Sequence, residues 1–308
     1  MKRILSFFII LFAVAASSCA TAPSFDPASV EDAADRVTRV EPLSWWVGMN
    51  TPLQLLLQGE ALSECDVRIE GEGVSVKAVH KADSPNYLFV DVEIASSAKA
   101  GTYYIVLTRG DEEFKVAYEI AARREGSALR KSFTTADAIY LIMPDRFANG
   151  CAENDSTDDT ADKAARNEFY GRHGGDIQGV IDHLDYIADM GMTAIWSTPM
   201  LLDNEPFASY HGYACADYYH IDSRMGSNEL YRQMVAEAHK RGIKVIMDMV
   251  TNHCGIAHWW MRDLPFEDWV HKFDEGYVQT NNIFGTNMDI NASQSDLKIQ
   301  ESGWFDLS

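Results

Sequence analysis

The second half of the chain alternates short apolar segments with amphipathic ones, and this constrains its fold more than any other feature. Strands are predicted at 138–143, 193–198 and 243–247, because each is an apolar run too short for a typical helix. Between them, apolar residues recur at helical spacing in 177–188 and 228–240. Apolar strands joined by helices indicate a parallel sheet covered by helices. A doubly wound sheet and a barrel both fit this pattern.

The preceding region has a different periodicity. Short alternating or apolar runs at 52–57, 87–94 and 102–107 are separated by turn-forming segments rich in Gly, Pro, Asn and Asp. Strands at such spacing are typical of an all-β sandwich, and we predict an immunoglobulin-like one over 40–123. A charged linker at 123–127 separates it from the second region.

Polar residues gather where the predicted strands end. Asp248-Met249-Val250-Thr251-Asn252-His253 directly follows the third strand, Tyr210-His211-Gly212-Tyr213 follows the second, and Pro144-Asp145-Arg146-Phe147-Ala148-Asn149-Gly150 follows the first. Barrel enzymes keep their chemistry at this end of their strands. In order and spacing, the three segments resemble signatures of the alpha-amylase family, glycoside hydrolase family 13, and of its neopullulanase and cyclomaltodextrinase branch.

The resemblance implies a fold and a role for each residue. Residues 133–308 are expected to form the first three strands of a (β/α)8 barrel, truncated, after the sandwich. Asp248 is expected to orient a neighbouring arginine and to form the floor of the sugar subsite, where His253 donates a hydrogen bond to a sugar hydroxyl. Tyr213 would offer a flat apolar face to a glucose ring and His211 a donor beside it. Asn252 would orient the loop.

The activity implied is hydrolysis of alpha-1,4-linked glucans with retention of configuration, which needs a nucleophile and an acid/base carboxylate. In the family these two groups follow later strands, so we expect this chain to be an N-terminal fragment that is inactive alone. A non-catalytic, glucan-binding surface lipoprotein is the alternative from another class. Transglycosylation by the full enzyme also stays open.

The loop after the first predicted strand is the candidate calcium site, because calcium takes oxygen ligands from carboxylates, amides and carbonyls. The resemblance implies a ligand set of Asn149, Asn154, Asp155, Gly174 and Asp176. Cys151 stands where the branch has an acid, and a thiol is a poor calcium ligand. A solvated acidic loop is the other interpretation. For Trp259 and Trp260, substrate contact and packing of the loop are equally open.

The first residues resemble an export signal. Lys2 and Arg3 precede an apolar run, and residues 1–19 end in Ser17-Ser18-Cys19, similar to a lipoprotein cleavage box. Cys19 would then be acylated, 20–39 would be a tether, and the chain would be a periplasmic or cell-surface lipoprotein that meets the membrane only through this anchor. Ordinary cleavage after Ala20 or Ala22 is the alternative.

The net charge of the chain narrows the classes of partner that it can bind. A net charge of −20 repels nucleic acid but leaves neutral sugars unaffected, so alpha-glucan oligosaccharides are the expected partners. The resemblance also leaves a homodimer through the N-terminal domain open. Pairing among Cys65, Cys151, Cys215 and Cys254 is not determined by the sequence.

Overall fold

Two four-stranded sheets make up the first part of the chain in the computed structural model, which describes residues 36–272. One sheet has the order β1 (Val37–Glu41), β3 (Leu53–Gly59), β6 (Tyr87–Ile94), β5 (Val74–Lys81), and all its neighbours are antiparallel. The other has the order β2 (Ser44–Trp46), β8 (Glu112–Ala121), β7 (Gly101–Arg109), β4 (Asp66–Glu70). The two sheets bury one shared apolar core. A β-rich first region was predicted and is confirmed.

The boundary of this region lies slightly earlier than expected. β1 begins at Val37, inside the segment 20–39 predicted to be a tether, because the Val37 side chain is buried in the core of the sheets. The export signal, Cys19, the first 16 residues of the tether and all residues beyond 272 lie outside the described residues.

The second part contains a parallel sheet with the order β9 (Ile139–Ile142), β10 (Ala194–Ser197), β13 (Lys244–Met247). One face packs against helices through Ile142 and Ile195. The helices are α1 (Pro144–Phe147), α2 (Ile177–Asp182), α3 (Leu184–Asp189) and α4 (Asn228–Lys240). The predicted order of strands and helices, with parallel strands, is therefore confirmed.

The opposite face of this sheet is apolar and largely open to solvent within residues 36–272. Leu141 and Trp196 are register partners on that face, and Ile139 lies next to Leu141 on it. All three are exposed, Leu141 by 61%. An apolar face of this kind normally packs against further chain.

The helix predicted over 177–188 is interrupted at His183, and that part of the prediction is wrong. The His183 amide donates to the Val180 carbonyl, three residues back, at 3.2 Å. The Gly179 carbonyl, which a continuous α-helix would use, instead lies 2.8 Å from the His183 ring Nδ1. The side chain thus competes with the backbone for its acceptor, and two short helices result.

The long loop predicted after β10 contains a second small sheet. β11 (Leu201–Asp203) pairs antiparallel with β12 (Cys215–Ile221), with irregular register. Cys65, Cys215 and Cys254 carry free thiols. Within 36–272 no helix is long and apolar enough to cross a membrane.

Candidate functional site

Asp248 lies immediately after β13, and two aromatic side chains hold its carboxylate. The indole Nε1 of Trp196 donates to Asp248 Oδ2 at 3.1 Å, and the Tyr213 hydroxyl donates to the same oxygen at 3.4 Å. Trp196 comes from the neighbouring strand β10, while Tyr213 comes from the segment that follows it. The carboxylate is therefore held by one side chain of the neighbouring strand and one of the loop that follows that strand, rather than by the backbone amides of a turn.

The turn that carries Tyr213 has a fixed backbone. Gly212 adopts φ +78°, and a side chain there would place its Cβ 2.1 Å from the Pro199 carbonyl oxygen. The Tyr213 amide donates to His211 Nδ1 at 2.9 Å. Burial lowers the pKa of His211, so the ring is neutral and Nδ1 is free to accept. The Tyr213 ring, held in this way, stays exposed beside Asp248.

His253 connects the loop after β13 to the same turn. Its Nε2 lies 3.0 Å from the Tyr213 carbonyl, and because a carbonyl only accepts, this nitrogen carries the proton. Its Nδ1 then accepts from Asn252 Nδ2 at 3.3 Å. The Tyr218 hydroxyl donates to the His253 carbonyl at 2.7 Å. In this arrangement the His253 ring stabilises the Tyr213 turn. To donate to a sugar hydroxyl, Nε2–H would have to leave the Tyr213 carbonyl.

Four of the five predicted active-site residues therefore meet in one contact network, in which Asp248 joins Tyr213, and His211 and His253 hold the Tyr213 backbone. Asn252 reaches it only through His253. Sequence reasoning missed Trp196. Its register partner on β13 is Ile246, two positions before Asp248, and no signal in the sequence fixes this register.

Asp203 was also missed. It accepts from the Ala214 amide at 3.1 Å, which ties the end of β11 to the Tyr213 turn, and burial raises its pKa to about 6.

The tryptophans after His253 pack against the first region of the chain. Trp259 stacks on Tyr87 of β6, with ring centroids 6.1 Å apart and planes at 17°. The Arg39 guanidinium lies 4.6 Å from the Trp259 ring centroid and donates to Asp217 Oδ2 at 2.9 Å. Trp260 packs on His258 and on Trp269. Of the two interpretations, packing describes both tryptophans.

Hydrogen bonds complete the attachment of this loop to the sandwich. The Tyr87 hydroxyl donates to the Asp263 carbonyl at 2.6 Å, and the Asn86 amide donates to the Asp263 carboxylate at 2.8 Å. The backbone amides of Asp83 and Ser84 donate to the Pro265 carbonyl at 2.9 and 3.2 Å. The loop that continues from His253 is thus anchored on the β6 side of the first region.

The predicted metal ligands converge only in part. Asn149 Nδ2 lies 2.6 Å from Asp155 Oδ1, and a Cβ on Gly174 would lie 2.5 Å from that same oxygen. Asp176 instead caps α2: its carboxylate accepts from the amides of Gly179, Gly150 and Cys151 at 2.7, 3.1 and 2.9 Å.

One observation favours a cation at this place. The side-chain oxygen of Asn154 is buried and has no hydrogen-bond partner. A buried oxygen without a donor is costly unless something positive meets it. Across residues 36–272 no group of three or more His, Cys, Asp or Glu is placed to hold a metal. The candidate set has only two carboxylates and otherwise relies on amide and backbone oxygens, which suit calcium.

Comparison with known families gives two matches that follow each other along the chain. Residues 141–297 match the alpha-amylase catalytic domain, and residues 39–124 match the cyclomaltodextrinase N-terminal domain. The first match begins within β9, and the second covers both sheets of the first region.

Several named proteins are similar to parts of this chain. Neopullulanase 2 of Thermoactinomyces vulgaris is 40% identical over 151 residues, which is 44% of this chain and 25% of that protein. A cyclomaltodextrinase of Thermoanaerobacter pseudethanolicus is 39% identical over 151 residues, which is 46% of this chain and 25% of that protein. A solved Anoxybacillus alpha-amylase is 35% identical, with TM-score 0.42, over 54% of this chain and 36% of that one. The chain thus spans about a quarter of the length of the two sequence relatives.

Proposed function

Because the chain belongs to the alpha-amylase family, we propose that it is the N-terminal part of a retaining hydrolase that cleaves alpha-1,4-glucosidic bonds in starch-derived oligosaccharides. Relatives named neopullulanase, cyclomaltodextrinase and maltogenic alpha-amylase are 39–40% identical to it over their matched segments. The single observation that carries the proposal is the strand-end carboxylate of Asp248, held between Trp196 and Tyr213.

In the proposed reaction, the described residues bind and orient the substrate, and other residues supply the nucleophile and the acid/base. Retention requires a nucleophile and an acid/base, and we assign neither to the described residues. Asp248 would instead bind the sugar and orient the groups that react, since its second oxygen stays available. The exposed face of the Tyr213 ring would stack on a glucose ring. The indole of Trp196 would shield one side of the Asp248 carboxylate from water.

The finer fold assignment is part of the same proposal. We take 40–123 as an immunoglobulin-like sandwich and 133–308 as part of a (β/α)8 catalytic domain that contains the first three barrel strands. The open apolar face around Leu141 supports this, because the inward side of a barrel strand packs against the other strands of the barrel.

A calcium ion is proposed in the loop after β9. Asn149, Asn154, Asp155 and Gly174 would hold it, with Asp176 beside them as the helix cap. The ion would supply positive charge to the unpartnered Asn154 oxygen and tie the two ends of the loop together. The Cys151 side chain is not assigned to the ion, because sulfur is a poor calcium ligand, and the Cys151 amide donates to Asp176.

Export, a lipid anchor on Cys19 and a homodimer are also proposals, and they rest on the sequence of residues 1–19 and on the family resemblance. Labelling of cells with a fatty acid analogue tests the anchor. The wild-type protein should carry the label, and Cys19→Ala should not. Label on both proteins would exclude Cys19 as the acylated residue.

The function is tested with the protein expressed from its whole reading frame. We expect hydrolysis of maltoheptaose, with the newly formed reducing ends appearing first as the α-anomer in proton NMR. Asp248→Asn should lower kcat/KM about 100-fold, since a misplaced substrate loses most of its orientation benefit. The matched control is Asp158→Asn, an exposed carboxylate of the acidic loop, which should leave activity unchanged.

Two results would contradict the proposal. β-Anomers appearing first would mean inversion. Glucan binding without any hydrolysis by the whole protein would instead favour the non-catalytic glucan-binding alternative.

A further inference from the structure

Three aromatic side chains stand exposed together at the same end of the sheet as Asp248. Phe169, Tyr170 and Phe207 have exposed fractions of 77%, 54% and 68%. The first two lie in the loop after β9 and the third lies in the loop after β10. The Tyr170 ring centroid is 4.8 Å from that of Phe169 and 5.9 Å from that of Phe207. We call these three residues the aromatic platform. Clustered exposed aromatics are unfavourable in water and mark binding surfaces.

Hydrogen bonds join the two loops that carry the platform. Arg172 is buried, and its Nη1 donates to the Ser209 hydroxyl at 3.1 Å. The Ser209 amide and hydroxyl both donate to Asp162 Oδ2, at 3.1 and 3.0 Å. These contacts fasten the loop after β9 to the loop after β10 within two residues of Tyr170 and of Phe207 along the chain.

The backbone next to the rings is held in conformations that few residues accept. Ala208, which follows Phe207, has φ +58°, in the left-handed region that costs a non-glycine residue free energy. Gly171, which follows Tyr170, could not carry a side chain, because its Cβ would lie 2.3 Å from the Ala165 carbonyl oxygen. The backbone is therefore restricted next to Phe207 and next to Tyr170.

The platform is continuous with the candidate substrate turn. Arg146 Nη2 donates to the Phe169 carbonyl at 3.1 Å and to the Gly171 carbonyl at 2.9 Å. The guanidinium of the same residue lies 4.1 Å from the ring centroid of Tyr210. Tyr210 begins the turn that ends in Tyr213, so one side chain joins both surfaces.

We propose that the aromatic platform binds glucose residues of the same alpha-1,4-glucan beyond those held at Asp248. Flat aromatic faces complement the apolar C–H faces of pyranose rings. The ring planes meet at 88° and 51°, which suits a chain whose successive sugars are not coplanar. The strong negative charge of the protein disfavours acidic partners and leaves a neutral glucan unaffected. This inference depends on the proposed function.

The test compares a short and a long substrate on the whole protein. For Phe207→Ala and Tyr170→Ala, we expect kcat/KM on maltoheptaose to fall about fivefold. On maltotriose, which offers few sugars beyond those held at Asp248, we expect it to stay within about twofold of the wild type. Phe207→Tyr should retain the wild-type value, because it keeps the ring. The matched control is Tyr186→Ala, which removes an exposed tyrosine of α3 and should change neither value.

The outcomes separate the two proposals. A wild-type protein that hydrolyses no glucan refutes the proposed function. Hydrolysis with maltoheptaose values unchanged in both alanine variants overturns the platform alone. An equal loss of kcat/KM on both substrates also overturns it. So does a change in the molecular mass of the alanine variants, measured by light scattering, without a length-dependent loss of kcat/KM, because the aromatic platform would then be a contact between protein copies.

Discussion

The Tyr213 side chain offers two separable groups to the site, a ring that is exposed and a hydroxyl that donates to Asp248 across 3.4 Å. Burial, together with the charge of Asp248, raises the pKa of this hydroxyl, which keeps it protonated and able to donate. A bond of this length at an exposed position contributes little free energy. The ring is therefore expected to matter more for binding than the hydroxyl.

Tyr213→Phe should lower kcat/KM on maltotriose less than about twofold, whereas Tyr213→Ala should lower it about tenfold through loss of the stacking face. Steady-state kinetics of the whole protein measure both. An equal and large effect of the two substitutions would show that the hydroxyl, and not the ring, carries the interaction.

His258 gives a prediction about pH. Burial lowers its pKa to about 4, and its Nδ1 accepts from the Trp260 amide at 3.2 Å. Between about pH 6.5 and 4 the unfolded chain binds a proton at this residue and the folded chain does not, so stability falls as the pH falls through that window. We expect a loss of about 3 kcal/mol from this residue across the window.

His258→Asn isolates this contribution. Asn can accept from the same amide, as residues at the start of a helical turn commonly do. Its free energy of unfolding in denaturant titrations at pH 7.5 and pH 4.5 should differ by less than that of the wild type. Parallel losses in both proteins would show that His258 is not the titrating group.

At this scale the sequence predicted which residues meet, but not all of their contacts. The position of Asp248 followed from where the third strand ends, and those of Tyr213 and His253 followed from the family resemblance. The hydrogen bond from Trp196 did not, because it depends on strand register, which the apolar pattern of β10 leaves open.

At the scale of the structural elements, the loop after β9 carries the proposed calcium site. Asp155 lies against Asn149 and Gly174, next to the unpartnered Asn154 oxygen. If calcium binds there at 100 times its Kd, it stabilises the fold by about 2.7 kcal/mol. Chelation should then lower the Tm of the wild-type protein by about 5 °C.

Asp155→Ala should already melt lower and should not respond to chelation. Asp158→Ala, which removes an exposed carboxylate from the same loop, should respond as the wild type does. Differential scanning calorimetry with and without EDTA measures both. An unchanged wild-type Tm would refute the calcium proposal and leave a solvated acidic loop.

Elements with strong local signals were predicted well. α4 runs over the predicted residues because Ser227 caps it and Gly242, at φ +74°, follows its end. β6 also has the predicted bounds. The break at His183 and the irregular pair β11 and β12 were missed, because one depends on a side chain competing for a carbonyl and the other on register shifts.

At the scale of the whole molecule, the loop that contains Trp259 packs on β6, so the second region depends on the first to cover part of its aromatic surface. A variant lacking residues 36–123 would expose the aromatic side chains of Trp259, Phe266 and Trp269, which pack on Tyr87 or Phe89. We expect this variant to aggregate, as measured by light scattering after size-exclusion chromatography. A variant lacking only residues 1–35 serves as the control and should stay monodisperse. A monodisperse deletion of 36–123 would show that the regions fold independently.

The interface itself was beyond sequence reasoning, because it joins residues far apart in the chain. The Tyr87 hydroxyl and the Asp263 carbonyl that it contacts are separated by 176 positions.

That separation also sets an order of events during synthesis. At about 5–20 residues per second, the aromatic side of β6 leaves the ribosome some 10–35 s before its partner loop exists. During that interval Tyr87 and Phe89 lack the aromatic partners that they contact in the folded protein, so we expect the nascent chain to need chaperones more than the finished protein does.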